Sequence, residues 1–275
     1  MFPQRSSDAI SPTAHYTGYV WARNGLSHPE LETTEGRVLF ELVRPSMVVS
    51  SLLGEGTLEA YLLARHMAID NLLTEAIERK GISQVLEIAC GMSPRGWRFT
   101  ERYGDRITYI EADLPAMAAR KRRALERMGS LSDRHRVIDI DVLADGSIAE
   151  TVAGLDRDAG LAVITEGLLG YLPTDSVKEI WHRLAAVMAE FKANRYIAEL
   201  HLSSIQTPAI RAFRLILAAF VRGQVYLHFP TEQEAESALA DSGFTDVSIV
   251  LATDLAPGTG GAGSRLVHII EASTV

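Results

Sequence analysis

The chain has 275 residues, of which 47% are hydrophobic and 23% are charged. This composition is that of a folded globular protein and excludes a disordered one. The net charge of -8 disfavours a general nucleic-acid binder, because phosphate contacts need a basic surface. Cys90 is the only cysteine, so intramolecular disulfides and cysteine-rich metal sites are excluded. No apolar run reaches the roughly 18 residues of a membrane span, and Met1–Ile10 is too polar for a signal peptide. We therefore expect a soluble, cytoplasmic protein.

The amino-terminal part predicts an irregular aromatic segment followed by two helices. Residues 1–30 place His15, Tyr16, Tyr19 and Trp21 among small polar residues. The first predicted helix covers Glu32–Val43 and is stopped by Pro45. The second covers Leu58–Lys80 and ends at Gly81, a carboxyl-terminal capping signal.

From Gln84 onward, short apolar runs alternate with helical stretches, a pattern typical of parallel strands joined by crossover helices. Strands are predicted at Gln84–Ile88, Thr108–Ala112, Arg136–Asp141, Leu161–Thr165 and Arg195–His201, with helices that include Pro115–Arg127 and Asp175–Phe191.

The last 70 residues predict a different ending. An amphipathic stretch, Pro208–Val221, precedes a capping box at Thr231–Glu234 that opens a helix to about Ser242. Two further β-like runs, Val247–Leu251 and Leu266–Ala272, predict an edge hairpin. The fold class is therefore α/β: a doubly wound, mostly parallel seven-stranded sheet with an antiparallel edge hairpin, in one domain spanning residues 1–275.

The end of the first strand is the first candidate site. In Val85–Gly91, Glu87 lies inside an apolar strand and Gly91 lies at its carboxyl end, where ligands bind open α/β sheets. Gly91 permits close approach of the backbone to a ligand. An ordinary turn between a strand and a helix would explain the same residues without a ligand. A dinucleotide fingerprint requires G-x-G-x-x-G, and Ala89 stands at its first glycine, so pyrophosphate binding is weakly supported.

Acidic residues end the following strands as well. Glu111 and Asp113 are suited to ribose hydroxyls, and Asp141 to an adenine amino group, while Glu166 supplies a fourth acidic strand end. Each alone is compatible with a solvated strand end or a helix cap. Together they predict an edge rich in acceptors, which suits a cationic, hydroxyl-rich ligand better than a polyphosphate.

Arg65 interrupts the apolar stripe of the second predicted helix. A buried guanidinium needs an anionic partner. It forms an internal salt bridge, extends its charged end to solvent, or serves as a fork that holds a ligand carboxylate. The other charged candidates predict little chemistry: Arg120–Arg123 is expected to be a solvated helix face, and His66 and His182 are expected to cap helices or face solvent.

Several of these motifs, taken in order, resemble the leucine carboxyl methyltransferase superfamily. The resemblance is to its small bacterial branch, which is associated with polyketide carboxyl O-methylation. It covers about residues 11–175. The matching pieces are Ser11–Ala14, Tyr61–Arg65, Val85–Arg98, Tyr109–Pro115 with Lys121, and Thr165–Pro173.

The resemblance implies a Rossmann-like class I methyltransferase fold that binds S-adenosyl-L-methionine and releases S-adenosyl-L-homocysteine. By that resemblance Arg65 would bind the cofactor carboxylate and Glu166 its amino group, with Ala89 and Gly91 facing the methionyl part. Asp113 would hold the ribose, and Asp141 and Val142 would flank the adenine. We assign Glu87 and Glu111 to the same cofactor site. The sequence departs from the family at Ala89, usually Gly, and at Ser93, usually Asp.

The predicted reaction is O-methylation of a small-molecule carboxylate, which is already ionised near neutral pH and requires no general base. The predicted layout has a cover for the cofactor site (1–80), a cofactor-binding core (81–202), an acceptor-site lid (203–230) and a closing part (231–275). No nucleic-acid or membrane partner is expected, and an oligomer is possible. The residues expected to bind the methyl acceptor are Tyr16, Tyr19, Tyr171, His201, Arg222 and Tyr226.

Three alternatives remain open at this point. A phenol or hydroxyl acceptor would need a base, for which His15 and His201 are the candidates. An NAD(P)-dependent oxidoreductase shares the layout but requires the missing glycines. A noncatalytic binding module would keep the fold alone.

Overall fold

A computed structural model describes residues 12–52, 57–204, 225–258 and 267–275, and for 45–52 it describes the backbone. Arg222 and the predicted amphipathic stretch Pro208–Val221 lie outside the described residues, as does most of the predicted lid. Three helices open the described chain: α1 (Pro12–Arg23), α2 (Thr34–Leu52) and α3 (Leu58–Arg79).

The prediction of an irregular amino terminus is wrong, because residues 12–23 form helix α1. This helix buries Tyr16 and Val20 in the core that α1, α2 and α3 share. Its small polar residues have weak helix propensity, so tertiary burial decides the conformation here. The predicted stop at Pro45 is also wrong, because α2 runs on to Leu52. Proline removes one backbone hydrogen bond, and the remaining bonds of the helix still allow it to continue.

The signals at both ends of α3 are confirmed. The Thr57 side chain accepts a hydrogen bond from the Ala60 N–H at the amino end. Gly81 follows the other end with φ +73°, the left-handed conformation that glycine adopts without strain.

All seven predicted strands are present in one sheet, each within about two residues of its predicted bounds. The strands are β1 (Ile82–Ile88), β2 (Thr108–Asp113), β3 (His135–Asp139), β4 (Gly160–Thr165), β5 (Asn194–Leu200), β6 (Asp246–Leu251) and β7 (His268–Ser273). They lie in the order β3-β2-β1-β4-β5-β7-β6. The first five are parallel, and β7 near one edge runs antiparallel to both of its neighbours, β5 and β6.

Helices cover both faces of the sheet, as a doubly wound fold requires. The remaining helices of the described residues are α4 (Arg95–Tyr103), α5 (Pro115–Met128), α6 (Ser147–Val152), α7 (Thr174–Met188), α8 (Glu232–Asp241) and α9 (Ala252–Leu255). One face of the sheet packs against α3 and α4 and the other against α7 and α8. The Thr231 capping box is confirmed, since its hydroxyl accepts a hydrogen bond from the Glu234 N–H. Within the described residues, no helix is both long enough and apolar enough to cross a membrane.

The strand register places four carboxylates on one face of the sheet, the one packed against α3. Glu87 pairs with Glu111 on one side and with Ile164 on the other. Ile164 in turn pairs with Ile197. Because side chains alternate along a strand, Glu166 and Glu199, each two residues further on, project from that same face. The carboxyl ends of β1 and β4 meet at the point where the strand order reverses, the usual place for a ligand in such sheets.

Candidate active site

The loop after β1 has left-handed backbone at two positions. Ala89 has φ +58° and Gly91 has φ +49°. This conformation costs a residue with a Cβ about 1–2 kcal/mol, so Ala89 is strained where the family usually has glycine. Ser93, the second departure from the family, accepts a hydrogen bond from the Arg95 N–H at 3.2 Å in the turn that precedes α4. A Cβ at Gly91 would lie 3.2 Å from the Ala14 Cβ, which places α1 directly over the loop.

Asp113 is held at the end of β2 by two backbone N–H groups. Gly91 N–H donates to Oδ2 and Leu114 N–H donates to Oδ1, both at 2.7 Å. Burial raises the pKa of Asp113 above its ordinary value despite these bonds. The structure therefore joins Gly91 to Asp113 and ties the β1 loop to the end of β2.

Asp141 and Val142 follow β3, which ends at Asp139 rather than at the predicted Asp141. Asp141 accepts a hydrogen bond from its near neighbour Leu143 N–H at 3.0 Å, and this turn replaces strand pairing. The Asp141 side chain is exposed, while Val142 is buried in the core. The Ile140 N–H donates to the Asp113 carbonyl at 2.9 Å, so this turn lies beside the end of β2.

Arg65 and Glu166 form a buried ion pair. The Arg65 Nε donates to Glu166 Oε1 at 2.8 Å, and the arginine is 7% exposed. Among the described residues, none accepts a hydrogen bond from the two terminal nitrogens of Arg65. These nitrogens lie near Gly167, where a Cβ would be 3.7 Å from one and 4.0 Å from the other. The internal salt bridge is thus present at the Nε edge, and the fork that holds a ligand carboxylate stays a prediction for the terminal edge.

Glu166 also receives hydrogen bonds from a second buried arginine, which the sequence analysis missed. Arg95 is fully buried and donates to Glu166 Oε2, Glu87 Oε1 and Asp70 Oδ1, each at 2.6 Å. Although burial opposes ionisation of Glu166, the charges of Arg65 and Arg95 hold its pKa well below the ordinary range. An arginine at the start of a polar helix predicts exposure, and only the charged strand residues facing it make burial possible.

His66 and Glu87 belong to this same network. His66 is fully buried, so the expectation that it caps a helix or faces solvent is wrong; its Nδ1 lies 3.0 Å from Glu166 Oε2. Glu87 accepts from Arg95 and from the Tyr109 hydroxyl at 2.7 Å. The structure thus places Glu87 inside the charge network beneath the loop.

Glu111 is held in a separate buried cluster. Its carboxylate is fully buried between Lys121, with which it forms an ion pair, and His135, whose Nε2 is 2.7 Å away. Lys121 is fully buried too, so the predicted solvated face over Arg120–Arg123 is wrong at that position. A lysine can be buried here because Glu111 supplies the opposite charge. Glu111 is therefore directed into the protein core, away from the Arg65–Glu166 pair.

Glu199 at the end of β5 is a further site residue that the sequence analysis missed. It is 2% exposed, and both of its oxygens lie 2.9 Å from the Gly167 N–H. Burial raises its pKa to about 7, although the Arg65 charge acts in the opposite direction. The available signal was the same as at Glu87, an acidic residue inside the apolar strand Tyr196–Leu200.

His201 follows Glu199 and is hydrogen-bonded to Tyr61 of α3. Its Nε2 contacts the Tyr61 hydroxyl, and the two rings stack with centroids 5.5 Å apart. Burial lowers the pKa of His201 to about 4, with smaller contributions from His268 and His228. His15, the other candidate base, is buried and lies 3.0 Å from the Thr33 hydroxyl, and burial lowers its pKa.

The aromatic residues assigned to the acceptor fall into two groups. Tyr171 and Tyr226 belong to neighbouring segments, because the Tyr226 N–H donates to the carbonyl of Gly170. Burial raises the pKa of Tyr171, and the nearby Arg65 charge opposes that rise. Tyr16 and Tyr19 instead pack on Phe40, with ring centroids 5.9 and 5.2 Å away. The structure therefore places Tyr171 and Tyr226 in neighbouring segments, and Tyr16 and Tyr19 between α1 and α2; their role in acceptor binding stays a prediction.

The strand order, the antiparallel edge and the loop-to-Asp113 contact define a class I methyltransferase fold. A model of the leucine carboxyl methyltransferase family matches residues 31–185, more than half of the chain. The chain belongs to the leucine carboxyl methyltransferase family, and this membership favours a methyltransferase over the oxidoreductase alternative.

Relatives found by sequence are also methyltransferases by name, and they match a shorter part of this chain than the family model does. A relative from Mycolicibacterium gilvum is 36% identical over 114 residues, which are 41% of this chain and 36% of that protein. One from Mycobacterium marinum is 33% identical over 44% of this chain and 39% of that protein. Both are named for S-adenosyl-L-methionine-dependent methyl transfer. The matches thus span little more than a third of these relatives.

Solved structures match over nearly the whole chain. A Thermobifida fusca protein described as a methyltransferase has a TM-score of 0.70, covering 99% of this chain and 98% of its own at 15% identity. A DUF574 family protein from Streptomyces avermitilis has a TM-score of 0.69, covering 98% and 100% at 13% identity. At such identities the likeness concerns the fold.

Proposed function

We propose that the protein is an S-adenosyl-L-methionine-dependent O-methyltransferase that forms the methyl ester of a small-molecule carboxylate. One observation carries the cofactor part: Arg65 is buried at the switch point, pairs with Glu166 through Nε and directs its terminal nitrogens toward Gly167. A guanidinium edge offers two parallel donors, which is the geometry that a carboxylate accepts.

The residues present fit the cofactor at both ends of the sheet edge. Arg65 would bind the methionyl carboxylate, and Asp113, fixed by the Gly91 and Leu114 N–H groups, would accept from the ribose hydroxyls. Asp141 and Val142, on the neighbouring turn, would flank the adenine. When bound, S-adenosyl-L-methionine supplies a sulfonium methyl group that passes to an acceptor oxygen while the electrons of the broken C–S bond stay on sulfur.

The protein's own contribution is orientation and exclusion of water rather than proton transfer. The carboxylate acceptor is favoured over a phenol by the state of the two candidate bases. His201, with a pKa of about 4, is a weak base, and its Nε2 is already engaged by Tyr61. His15 is engaged by Thr33. Tyr171 and Tyr226 would line the acceptor side.

Two measurements test the proposal. S-adenosyl-L-homocysteine is expected to bind and to raise the melting temperature, because it binds the folded state. An unchanged melting temperature at millimolar ligand, with the protein folded, would contradict the cofactor assignment. With saturating cofactor and a panel of small carboxylic acids, the product is expected to release methanol in mild alkali, as methyl esters do.

The pH–rate profile separates the two acceptor classes. At saturating cofactor an ionised carboxylate acceptor should give a nearly level kcat from about pH 6 to about pH 9. A base-stable product, formed at a rate that rises through a pKa near that of histidine, would move the assignment to a phenol or hydroxyl acceptor.

A further inference from the structure

The four carboxylates on the α3 face of the sheet differ in how their charge is balanced. Glu111 is paired with Lys121, Glu87 with Arg95, and Glu166 with both Arg65 and Arg95. For Glu199, the described part of the chain places no cation within ion-pair distance. The hydrogen-bond donors to it there are two backbone N–H groups, its own and that of Gly167, which both oxygens share. A buried carboxyl with so little compensation is unusual, and such groups concentrate at functional sites.

Glu199 also adjoins the Arg65 edge assigned to the cofactor. Gly167 lies between them: its N–H donates to Glu199, and a Cβ on it would lie 3.7 Å from an Arg65 terminal nitrogen. Glu166, by contrast, can accept few further hydrogen bonds. An ionised carboxylate accepts about four hydrogen bonds; Arg65 and Arg95 each supply one to Glu166, and His66 Nδ1 lies 3.0 Å from its Oε2. The acceptor capacity still open beside Arg65 therefore belongs mainly to Glu199.

We propose that Glu199 is a cofactor-binding residue that accepts the ammonium group of the methionyl part beside Glu166, and that the cofactor's ammonium replaces the Glu199 proton as it binds. The inference rests on the proposed function. Arg65 would bind the carboxylate of the same amino acid, so one zwitterion would be held by a cation on α3 and an anion on β5. In this exchange the carboxyl loses H⁺ to solvent and gains an N–H donor, and no covalent bond of the cofactor changes.

The charged and titratable groups whose charges act on Glu199 come from three elements. Arg65 lies on α3, Glu166 and Tyr171 follow β4, and Tyr196 lies on the opposite face of β5. Arg65 stays cationic and Glu166 stays ionised near neutral pH, while burial raises the pKa of both tyrosines. Glu199, with its pKa raised to about 7, is thus the member of this set that titrates in the physiological range. Because its neutral form dominates below that pH, affinity for an ammonium ligand should rise with pH.

The test is calorimetric binding of S-adenosyl-L-homocysteine to the full chain at about pH 6 and about pH 7.5, in wild type and in Glu199→Gln. Wild-type affinity is expected to be roughly five- to tenfold higher at the upper pH, with proton release seen as a buffer-dependent heat. Glu199→Gln should lose most of this pH dependence, and its affinity at the upper pH should fall to about the wild-type value at the lower one. Glu271→Gln, a strand carboxylate already paired with Lys80, is the matched control and should behave as wild type.

A second ligand makes the assignment specific to the ammonium. 5′-Methylthioadenosine carries the nucleoside and the thioether without the amino acid, so Glu199→Gln should leave its affinity unchanged. Equal loss for both ligands, or wild-type pH dependence retained in Glu199→Gln, would overturn the inference. If S-adenosyl-L-homocysteine binds wild type with equal affinity at both pH values, the inference fails and the proposed function stands. If it binds at neither pH, the proposed function itself fails.

Discussion

At the scale of single residues, the chemistry of this site depends on what the buried charges face. Arg65 and Arg95 are both buried, yet they differ in what they can offer a ligand. Arg95 uses Nε, Nη1 and Nη2 on three carboxylates, while Arg65 uses Nε on Glu166. Arg95 is therefore a positioning residue that holds Glu87 and Glu166 in place, and Arg65 is the arginine suited to a ligand.

The first prediction concerns the geometry of Arg65. Arg65→Lys keeps the charge and loses the planar fork, so S-adenosyl-L-homocysteine binding should weaken by about 1–3 kcal/mol. Arg65→Ala should weaken it at least as much. Arg102→Lys, at an exposed pair with Glu78, is the control and should bind normally. Unchanged calorimetric affinity in both Arg65 variants would show that the residue serves the fold alone.

The second prediction concerns the strained Ala89. Ala89→Gly should relieve the cost of φ +58° and stabilise the protein by about 0.5–1 kcal/mol, after the entropy that glycine loses on folding is subtracted. Ala189→Gly, at an exposed position with φ −61°, should instead destabilise it by a similar amount. Urea unfolding of the three proteins gives the comparison, and a less stable Ala89→Gly would contradict the strain argument.

At the scale of elements, the site depends on how closely α4 and α1 approach the sheet. Gly96 in the first turn of α4 has no side chain, and that space holds the Glu111 carboxylate, which in turn pairs with Lys121 of α5. A Cβ at Gly18 of α1 would likewise lie 2.9 Å from the Met92 Cβ in the β1 loop. Small residues thus allow α4 to approach β2 and α1 to approach the loop that carries Ala89 and Gly91.

The third prediction tests the α4 contact. A Cβ at Gly96 would lie 2.4 Å from Glu111 Oε1, so Gly96→Ala should force the carboxylate or the helix to move and destabilise the protein by about 1–3 kcal/mol. Gly154→Ala, where a Cβ would meet nothing within 4 Å, is the matched control and should change stability by less than about 0.5 kcal/mol. Equal melting temperatures for the two variants would show that the Glu111 side chain moves aside at little cost in free energy.

At the scale of the whole molecule, the buried carboxyls give the folded state a two-sided pH dependence. The pKa values of Glu166, Glu111 and Asp70 are lowered by their cationic partners against the opposing effect of burial. Their stabilisation is present above the ordinary carboxyl pKa and is lost as the pH falls through the depressed values. Glu199 acts in the opposite direction, because burial raises its pKa to about 7.

The fourth prediction follows from the raised pKa of Glu199, which makes the folded state less stable as the pH rises. Without added ligand, the free energy of unfolding should fall by about 3 kcal/mol as the pH rises from about 4.5 to about 7.5, through the folded pKa of Glu199. Glu199→Gln should remove this decline and keep the loss of stability in acid. Chemical unfolding across that interval measures both proteins. A parallel decline in wild type and variant would assign the effect to another group.

The sequence by itself determined the alternation of strands and helices, the edge hairpin and the acidic residues at strand ends. Each of these depends on local signals: apolar periodicity in the strands, the Thr57 and Thr231 caps, and acidic residues where strands stop. Arg65 was found in the same way, because a charge on an apolar stripe is visible without coordinates.

Tertiary structure alone decided which charges meet. Glu111 and Asp113 are two residues apart on β2, yet one pairs with Lys121 in the core and the other holds the loop at the sheet edge. Arg95 and Lys121 are buried because carboxylates from neighbouring strands face them, and α1 is helical because it packs against α2 and the β1 loop. Local propensity favours exposure for those side chains, and only contacts between residues distant in the chain supply the opposing free energy.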